Sequence, residues 1–431
     1  MMEPLTSNTQ AILLLTAPLV AGRGETSCDL LSLGQYNKLT RILREKQKQP
    51  ADLIGPGAQD LIELCAQPFG RARLDALLER GFLLSQAVER WNARAIWVIS
   101  RADSRYPKRL KTRLKEDAPP LLYGCGEIAL LEKGGLAVVG SRHVDDELIS
   151  FTENVGRLAA KAHRTIISGG AKGIDRAAMH GALLADGEVA GVMADSLERA
   201  ALARDNREPL MEGRLVLISP YDPGAGFNVG HAMQRNKVIY ALADVGLVVT
   251  SDFEKGGTWT GAIEQLERLH FVPVFVRNGN NAGRGNAALI HHGGRPWPNP
   301  ENPAELGQML SAALESVAAE PKQETLSFAL REQPAAYAGC VKPVEPANIV
   351  GEASKVDSSP ADELFNIVRE ILRRELGIAS LTEADIVSLL DITKSQAKEW
   401  LTRMVKEGTV EKVKKTKPVQ YRTSTASDRL L

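Results

Sequence analysis

The chain has 431 residues, and at roughly 150 residues per domain that length sets a prior of about three domains. Its 53 basic and 53 acidic side chains cancel, which excludes a diffuse basic coat for nucleic acid and an acidic solvating tail. With 44% hydrophobic and 25% charged residues, the composition is globular and supplies apolar material for more than one core, so a charged partner has to be met by a local cluster.

The cysteines, Cys28, Cys65, Cys125 and Cys340, are far apart and form no CxxC pair or Cys/His cluster. No metal site is therefore expected, and unpaired thiols fit a reducing, cytoplasmic setting. The apolar run Ala11 to Ala21 is preceded by Glu3, has no basic segment before it and is interrupted by Pro18. It reads as the core of a helical region rather than a signal sequence, and no run reaches the ~20 apolar residues of a membrane span.

In chain order, residues 1–88 carry apolar positions at helical spacing (Leu30, Leu31, Tyr36, Leu39, Ile42; Leu61, Ile62, Leu64; Leu74, Leu77, Leu78), broken by Gly34, Pro50 and Gly55-Pro56-Gly57. This predicts a small helical domain. Over residues 89–320 short apolar runs alternate with amphipathic stretches. Leu136–Val139, Thr165–Ile167, Val189–Met193, Leu215–Ile218, Val245–Val249 and Val272–Val276 read as buried strands. The rhythm predicts βαβ units in an α/β domain with a mostly parallel sheet covered on both faces, whose ligands bind at the carboxyl ends of the strands. Residues 321–360 shift to Pro, Ala, Glu, Ser and Lys without periodicity, as in a flexible linker. In residues 361–424 a periodic helix (Leu364, Ile367, Val368, Ile371, Leu372) precedes helices over Thr382–Leu390 and Thr393–Lys406 and an alternating hairpin over Thr409–Tyr421, the pattern of a winged helix.

Two strands run into small-residue loops that carry a cation: Gly140-Ser141-Arg142, and Ser168-Gly169-Gly170-Ala171-Lys172-Gly173-Ile174-Asp175. Small residues let backbone N–H groups approach an anion, and the following helix N-terminus adds partial positive charge. Arg235-Asn236-Lys237, preceded by Phe227, and Glu254-Lys255-Gly256-Gly257-Thr258 repeat the theme. The alternative for the glycines is tight strand-to-helix packing, and for Arg235 and Lys237 a solvated helix face. Neither a G-x-G-x-x-G nor a Walker A sequence is present, so no nucleotide cofactor is expected. Asp175 reads as a cap or loop brace rather than a catalyst.

These motifs, with His180-Gly-Ala-Leu183, Tyr106-Pro-Lys-Arg-Leu110 and Pro119-Pro-Leu-Leu-Tyr-Gly-Cys-Gly126, resemble the DNA-processing protein A (DprA/Smf) family over about Trp97 to Phe275. The resemblance implies an extended Rossmann-like domain, preceded by a SAM-like helical domain, in a non-catalytic protein that binds and protects single-stranded DNA in a basic pocket, usually as a homodimer, and helps load RecA recombinase in DNA uptake and recombination. Arg142, Lys172, Arg235 and Lys255 match the family's pocket cations, with Gly140, Ser141, Ser168, Gly169, Gly170, Asn236 and Gly257 near the phosphates. Lys237 stands where the family commonly has a second arginine, keeping the charge but losing bidentate geometry. The run from Ser219 to Gln234 is longer than usual, which marks a divergent branch.

Base stacking asks for exposed aromatic faces, and Phe227, Tyr221 and Trp259 are candidates that also fit as loop anchors. Nine cations between Thr393 and Arg422 (Lys394, Lys398, Arg403, Lys406, Lys412, Lys414, Lys415, Lys417, Arg422) face three acids, which suits duplex or single-strand contact, or a solvated face beside a protein partner. A second basic run, Arg101 to Lys115, holds seven cations and reads equally as a solvated connector. Two rival functions remain. The loop Gly256-Gly-Thr-Trp-Thr-Gly-Ala-Ile-Glu264 looks like that of the LOG-type nucleoside-monophosphate phosphoribohydrolases, but Trp259 replaces a glycine and Glu264 falls one position late. The other is a regulator whose winged helix reads a duplex sequence.

Overall fold

The computed structural model describes residues 4–19, 29–226, 228–279 and 282–319, and in the C-terminal stretch 365, 368–369, 372–373, 376, 380–390, 394–407, 409–413 and 420–423. The linker expected over 321–360 and Phe227 lie outside the described residues. The chain divides into two compact units, Met1–Ser327 and Phe328–Leu431.

The first unit opens with five helices, α1 (Ser7–Thr16), α2 (Leu33–Glu45), α3 (Ala58–Ala66), α4 (Arg71–Leu78) and α5 (Gly81–Asn92). The apolar run after Thr6 is α1: the Thr6 hydroxyl caps it by accepting from the Thr9 N–H, and Ile12, Leu13 and Leu15 are fully buried. Ser32 and Gln35 form a reciprocal capping box that starts α2. The chain then alternates: β1 (Trp97–Ser100), α6 (Lys108–Leu114), β2 (Leu121–Gly126), β3 (Leu136–Gly140), α7 (Asp146–Lys161), β4 (Ile166–Ser168), α8 (Ile174–Leu183) and β5 (Val189–Val192). It continues through α9 (Leu197–Ala201), α10 (Arg204–Met211), β6 (Leu215–Ser219), α11 (Val229–Leu242), β7 (Val245–Thr250), α12 (Gly256–Glu264), β8 (Val274–Val276), α13 (Gly283–His291), β9 (Arg295–Pro296) and α14 (Pro303–Ala319).

The nine strands form one sheet in the order β1-β2-β6-β5-β4-β3-β7-β8-β9. All neighbours from β6 to β9 pair in parallel, while β2 is antiparallel to both β1 and β6. The six expected runs are all strands here. Both sheet faces are buried: along β3, Leu136 and Val138 point into one core, and Ala137 and Val139 into the other. The first core is continuous with the N-terminal helices, where Trp91 of α5 meets Tyr123 of β2 edge-on at 5.1 Å.

In the second unit, helices Glu383–Leu390 and Lys394–Lys406 accompany a small antiparallel sheet in which Gln420–Thr423 lies between Leu381–Thr382 and Val410–Lys412. Phe365, Leu372, Ile386, Leu401, Met404 and Tyr421 are buried together.

Candidate nucleic-acid interface

The strand order reverses between β3 and β7, the place where such sheets usually open a ligand crevice. Here that gap is laced shut. The Ser141 N–H donates to the Thr250 carbonyl at 3.1 Å, and the Thr258 hydroxyl donates to the Gly140 carbonyl at 3.0 Å. The opening falls to the other side of β3 instead. A cavity of about 320 Å³ sits at the ends of β3, β4 and β5, lined by Arg142, His143, Gly169, Gly170, Ala171, Lys172, Met193, Ala194, Asp195 and Arg235.

Its framework is a buried ion pair. Arg235, in α11, is 5% exposed and donates through Nη1 to Asp175 Oδ2 at 3.3 Å and to the Val192 carbonyl at 3.2 Å. Asp175, in the first turn of α8, also accepts from the backbone N–H groups of Gly140 and Ala171, so one carboxylate ties together the loops after β3 and β4 and the helix α11. Burial pushes the Asp175 carboxyl above its ordinary value, against the opposing pull of Arg235 and these hydrogen bonds. The guanidinium lies directly against Gly169, where a Cβ would come within 0.9 Å of Nη1, so only glycine permits this approach. Gly173 has φ +80° and packs under the carbonyls of Ser141 and Arg142, setting the turn into α8.

Over this floor the exposed Arg142 and Lys172 stand on the ridge between the cavity and a second hollow of about 510 Å³ that also contains Glu153, Arg176 and His180. His180 Nδ1 lies 2.9 Å from Glu153 Oε1. The α8 N-terminus directs its partial positive charge toward the same loop. Asp195 is the acid on the cavity wall.

The remaining candidates divide. Ser168 is buried and donates to the Val138 carbonyl at 2.6 Å, and Ser141 is engaged with Thr250, so both brace strand ends. Asn236 is 8% exposed and donates to the Gly257 carbonyl at 2.9 Å, holding the start of α12. Lys237 pairs with Glu264 at 3.1 Å, and Glu264 also binds Arg268; these groups are outside the cavity lining. Lys255, at the N-cap of α12 beyond β7, is exposed and also outside it. Of the aromatics, Tyr221 stacks flat on His231 at 3.6 Å, and Trp259 packs edge-on against Phe253 at 5.3 Å. In the second unit, the described cations Arg403 and Arg422 pair with Glu407 and Glu411. His143, Met193, Ala194 and Asp195 are the lining residues that sequence reasoning passed over. Met193 to Asp195 directly follow β5, so the strand-end rule would have found them.

Among the described residues no cluster of His, Cys, Asp and Glu is placed to hold a metal ion, and no helix is long and apolar enough to cross a membrane.

A mostly parallel, doubly covered sheet with cationic loops at its strand ends defines a Rossmann-type fold. A family model described as DNA recombination-mediator protein A matches residues 97–305. Protein Smf of Escherichia coli K12 is 31% identical over 291 residues, 64% of this chain and 72% of that protein. The chain belongs to the DprA/Smf family. DNA processing protein DprA of Bacillus subtilis is 26% identical over 188 residues, 43% of this chain and 62% of its own length, so the chain spans about three fifths of that relative. The fold is shared with the X-ray structure of DprA from Streptococcus pneumoniae, at a TM-score of 0.52 and 21% identity over 70% of this chain and 98% of that one.

Proposed function

We propose that this protein binds single-stranded DNA by its phosphates in the strand-end cavity and does no chemistry on it. The observation that supports the reading is the convergence of Arg142 and Lys172 on a cavity whose floor, Arg235 against Gly169, is fixed by Asp175. Fixed donors need little reorganisation when an anion arrives, and a single strand brings its phosphates within reach of a narrow loop-lined hollow. Gly140, Gly170 and the α8 N-terminus supply backbone polarity, while Ser141, Ser168, Asn236 and Gly257 hold the loops in place. Lys255 flanks the strand on the β7 side. Glu264, the residue a LOG-type hydrolase would use, is neutralised by Lys237 and Arg268, which favours the non-catalytic reading.

The family resemblance extends the proposal to a homodimer that protects single strands and helps RecA onto them during recombination. The proposal includes a winged helix over residues 361–424 as an accessory DNA contact, supported by the helix pair and small sheet after residue 380, within a layout of residues 1–88, 89–320, 321–360 and 361–424.

The test compares a single-stranded oligonucleotide, the duplex of the same sequence and AMP, with wild type and Lys172→Ala. Preference for the single strand is expected, with the variant weaker and its salt slope shallower by about 0.7 for each phosphate no longer neutralised. Equal affinity in Lys172→Ala and Arg142→Ala would overturn the assignment, and release of free base from AMP would replace it with hydrolysis. Co-precipitation with RecA and sedimentation of the free protein test the partner and the dimer.

A further inference from the structure

The basic run Arg101 to Lys115 is not used by the cavity, and the structure splits it in two. Arg109 pairs with Asp244 at 2.7 Å, and Arg113 donates to the carbonyls of Tyr240, Ala241 and Ala243, tying α6 to the end of α11. Arg101, Lys111 and Lys115 instead face α2 across a cleft of about 730 Å³, whose other wall carries Arg41, Arg44 and Lys48. Six cations thus meet one carboxylate, Glu116, which Arg41 already occupies at 2.5 Å.

The cleft is built rather than merely solvated. Arg101 donates to Asn37 Oδ1 at 2.6 Å and to the Glu116 carbonyl at 3.3 Å, and its guanidinium lies over the buried Tyr36 ring at 5.3 Å. Asn37 reaches the same carbonyl at 2.9 Å. Lys111 sits over Tyr106 at 5.6 Å. Like charges brought from two elements onto one concavity repel, and low-dielectric walls focus their field, so the arrangement favours an anion with several charges. The chain is neutral overall, which leaves this concentration unexplained by composition.

Topology places the cleft in register with the cavity. Since β2 is antiparallel to both β1 and β6, β1 runs parallel to the rest of the sheet, and Arg101 leaves its carboxyl end on the edge that holds the cavity. From β1 to β5 or β4 is three to four strand spacings, roughly 14–19 Å, a distance that a few nucleotides of extended strand cover.

We propose that the α2–α6 cleft is a second phosphate-binding site that takes the continuation of the single strand held at the cavity. The proposal rests on the single-strand reading above, and its test separates the two. Full-length Arg44→Ala/Lys48→Ala/Lys111→Ala, altering exposed side chains, is compared with wild type and Lys172→Ala on a short oligonucleotide that fills only the cavity and on one long enough to reach both sites. The triple variant should bind the short strand as wild type does and the long strand about tenfold more weakly, with a salt slope shallower by about 2, as expected when three phosphates are no longer neutralised. Arg44→Lys/Lys48→Arg/Lys111→Arg should restore the long-strand affinity. Unchanged long-strand affinity and slope in the triple variant, while Lys172→Ala weakens both strands, would overturn the cleft and leave the cavity standing. Equal loss on long single-stranded and duplex DNA would overturn its assignment to a single strand. Failure of wild type to bind either oligonucleotide would overturn both sites.

Discussion

Two buried aspartates brace the same edge of the sheet, and their surroundings shift the two carboxyl groups in opposite directions. Asp175 lies under the cavity beside Arg235, 5% exposed, and burial holds its carboxyl above the ordinary range. Asp103, 7% exposed, sits past the end of β1 beside the cleft, where burial acts upward but is outweighed by hydrogen bonds from Thr9 and Ser100, leaving it below the ordinary 3.8. The Thr9 hydroxyl lies 2.5 Å from Asp103 Oδ2, and the Ser100 N–H donates to the same oxygen at 2.7 Å. Both carboxylates accept local hydrogen bonds, but Asp175 is the more deeply desolvated, so burial outweighs Arg235 and its backbone donors there and is outweighed at Asp103. Asp103 joins α1 to the sheet, whereas Asp175 holds a charge pair beneath the strand-end cavity.

The largest effect should come from separating the partners of that pair. Asp175→Ala leaves the Arg235 guanidinium buried without its carboxylate and should lower the stability of the sheet unit by about 3–5 kcal/mol, read from its urea transition. Asp175→Leu/Arg235→Met should recover much of the loss. A double variant as unstable as the sum of its singles would show that the two groups act independently.

Next, Gly169→Ala drives a methyl group into the guanidinium, and an overpacked site of this kind costs about 1–3 kcal/mol. Affinity for single strands should fall as well, because Arg235 must leave the position it occupies under the cavity. Wild-type binding in Gly169→Ala would mean that the floor is not part of the site.

Acid sharpens the contrast through sign. A raised carboxylate opposes folding above its folded-state pKa, and this penalty fades as pH falls through that value toward 3.8. A lowered one stabilises above 3.8, and its contribution is lost as pH falls through the folded pKa. The stability of wild type relative to Asp175→Asn should therefore rise on acidification, while that relative to Asp103→Asn should fall below about pH 4. Parallel curves for the two variants would refute the opposed assignments.

Both the sheet and three cations of the candidate cavity, Arg142, Lys172 and Arg235, were legible in the sequence, for physical reasons. A strand buried on two faces needs an unbroken apolar run, so Leu136–Val139 and Val245–Val249 declare themselves, and a strand ending in small residues before a helix marks the loops that line the cavity. The antiparallel β1 and β2 did not, because Leu121–Gly126 carries glycines; Gly124 is required by the Trp97 ring, whose atoms would lie 2.4 Å from a Cβ. Nor could the pattern Arg235-Asn236-Lys237 reveal that its first cation is buried against a carboxylate sixty residues away while its third pairs outside the cavity with Glu264. Charge is written in the sequence, but desolvation and partnership are tertiary.

That last distinction gives the smallest expected effect. Lys237 is a half-buried member of an ion pair whose carboxylate retains Arg268, so Lys237→Ala should cost at most about 1 kcal/mol of stability. Because Lys237 stands outside the cavity lining, single-strand affinity should change less than about twofold and the salt slope should stay constant, in contrast to Lys172→Ala. A loss in Lys237→Ala matching that of Lys172→Ala would extend the interface from the ends of β3, β4 and β5 along α11, and Asn236, which holds α12 through the Gly257 carbonyl, would then be the hinge between its two halves.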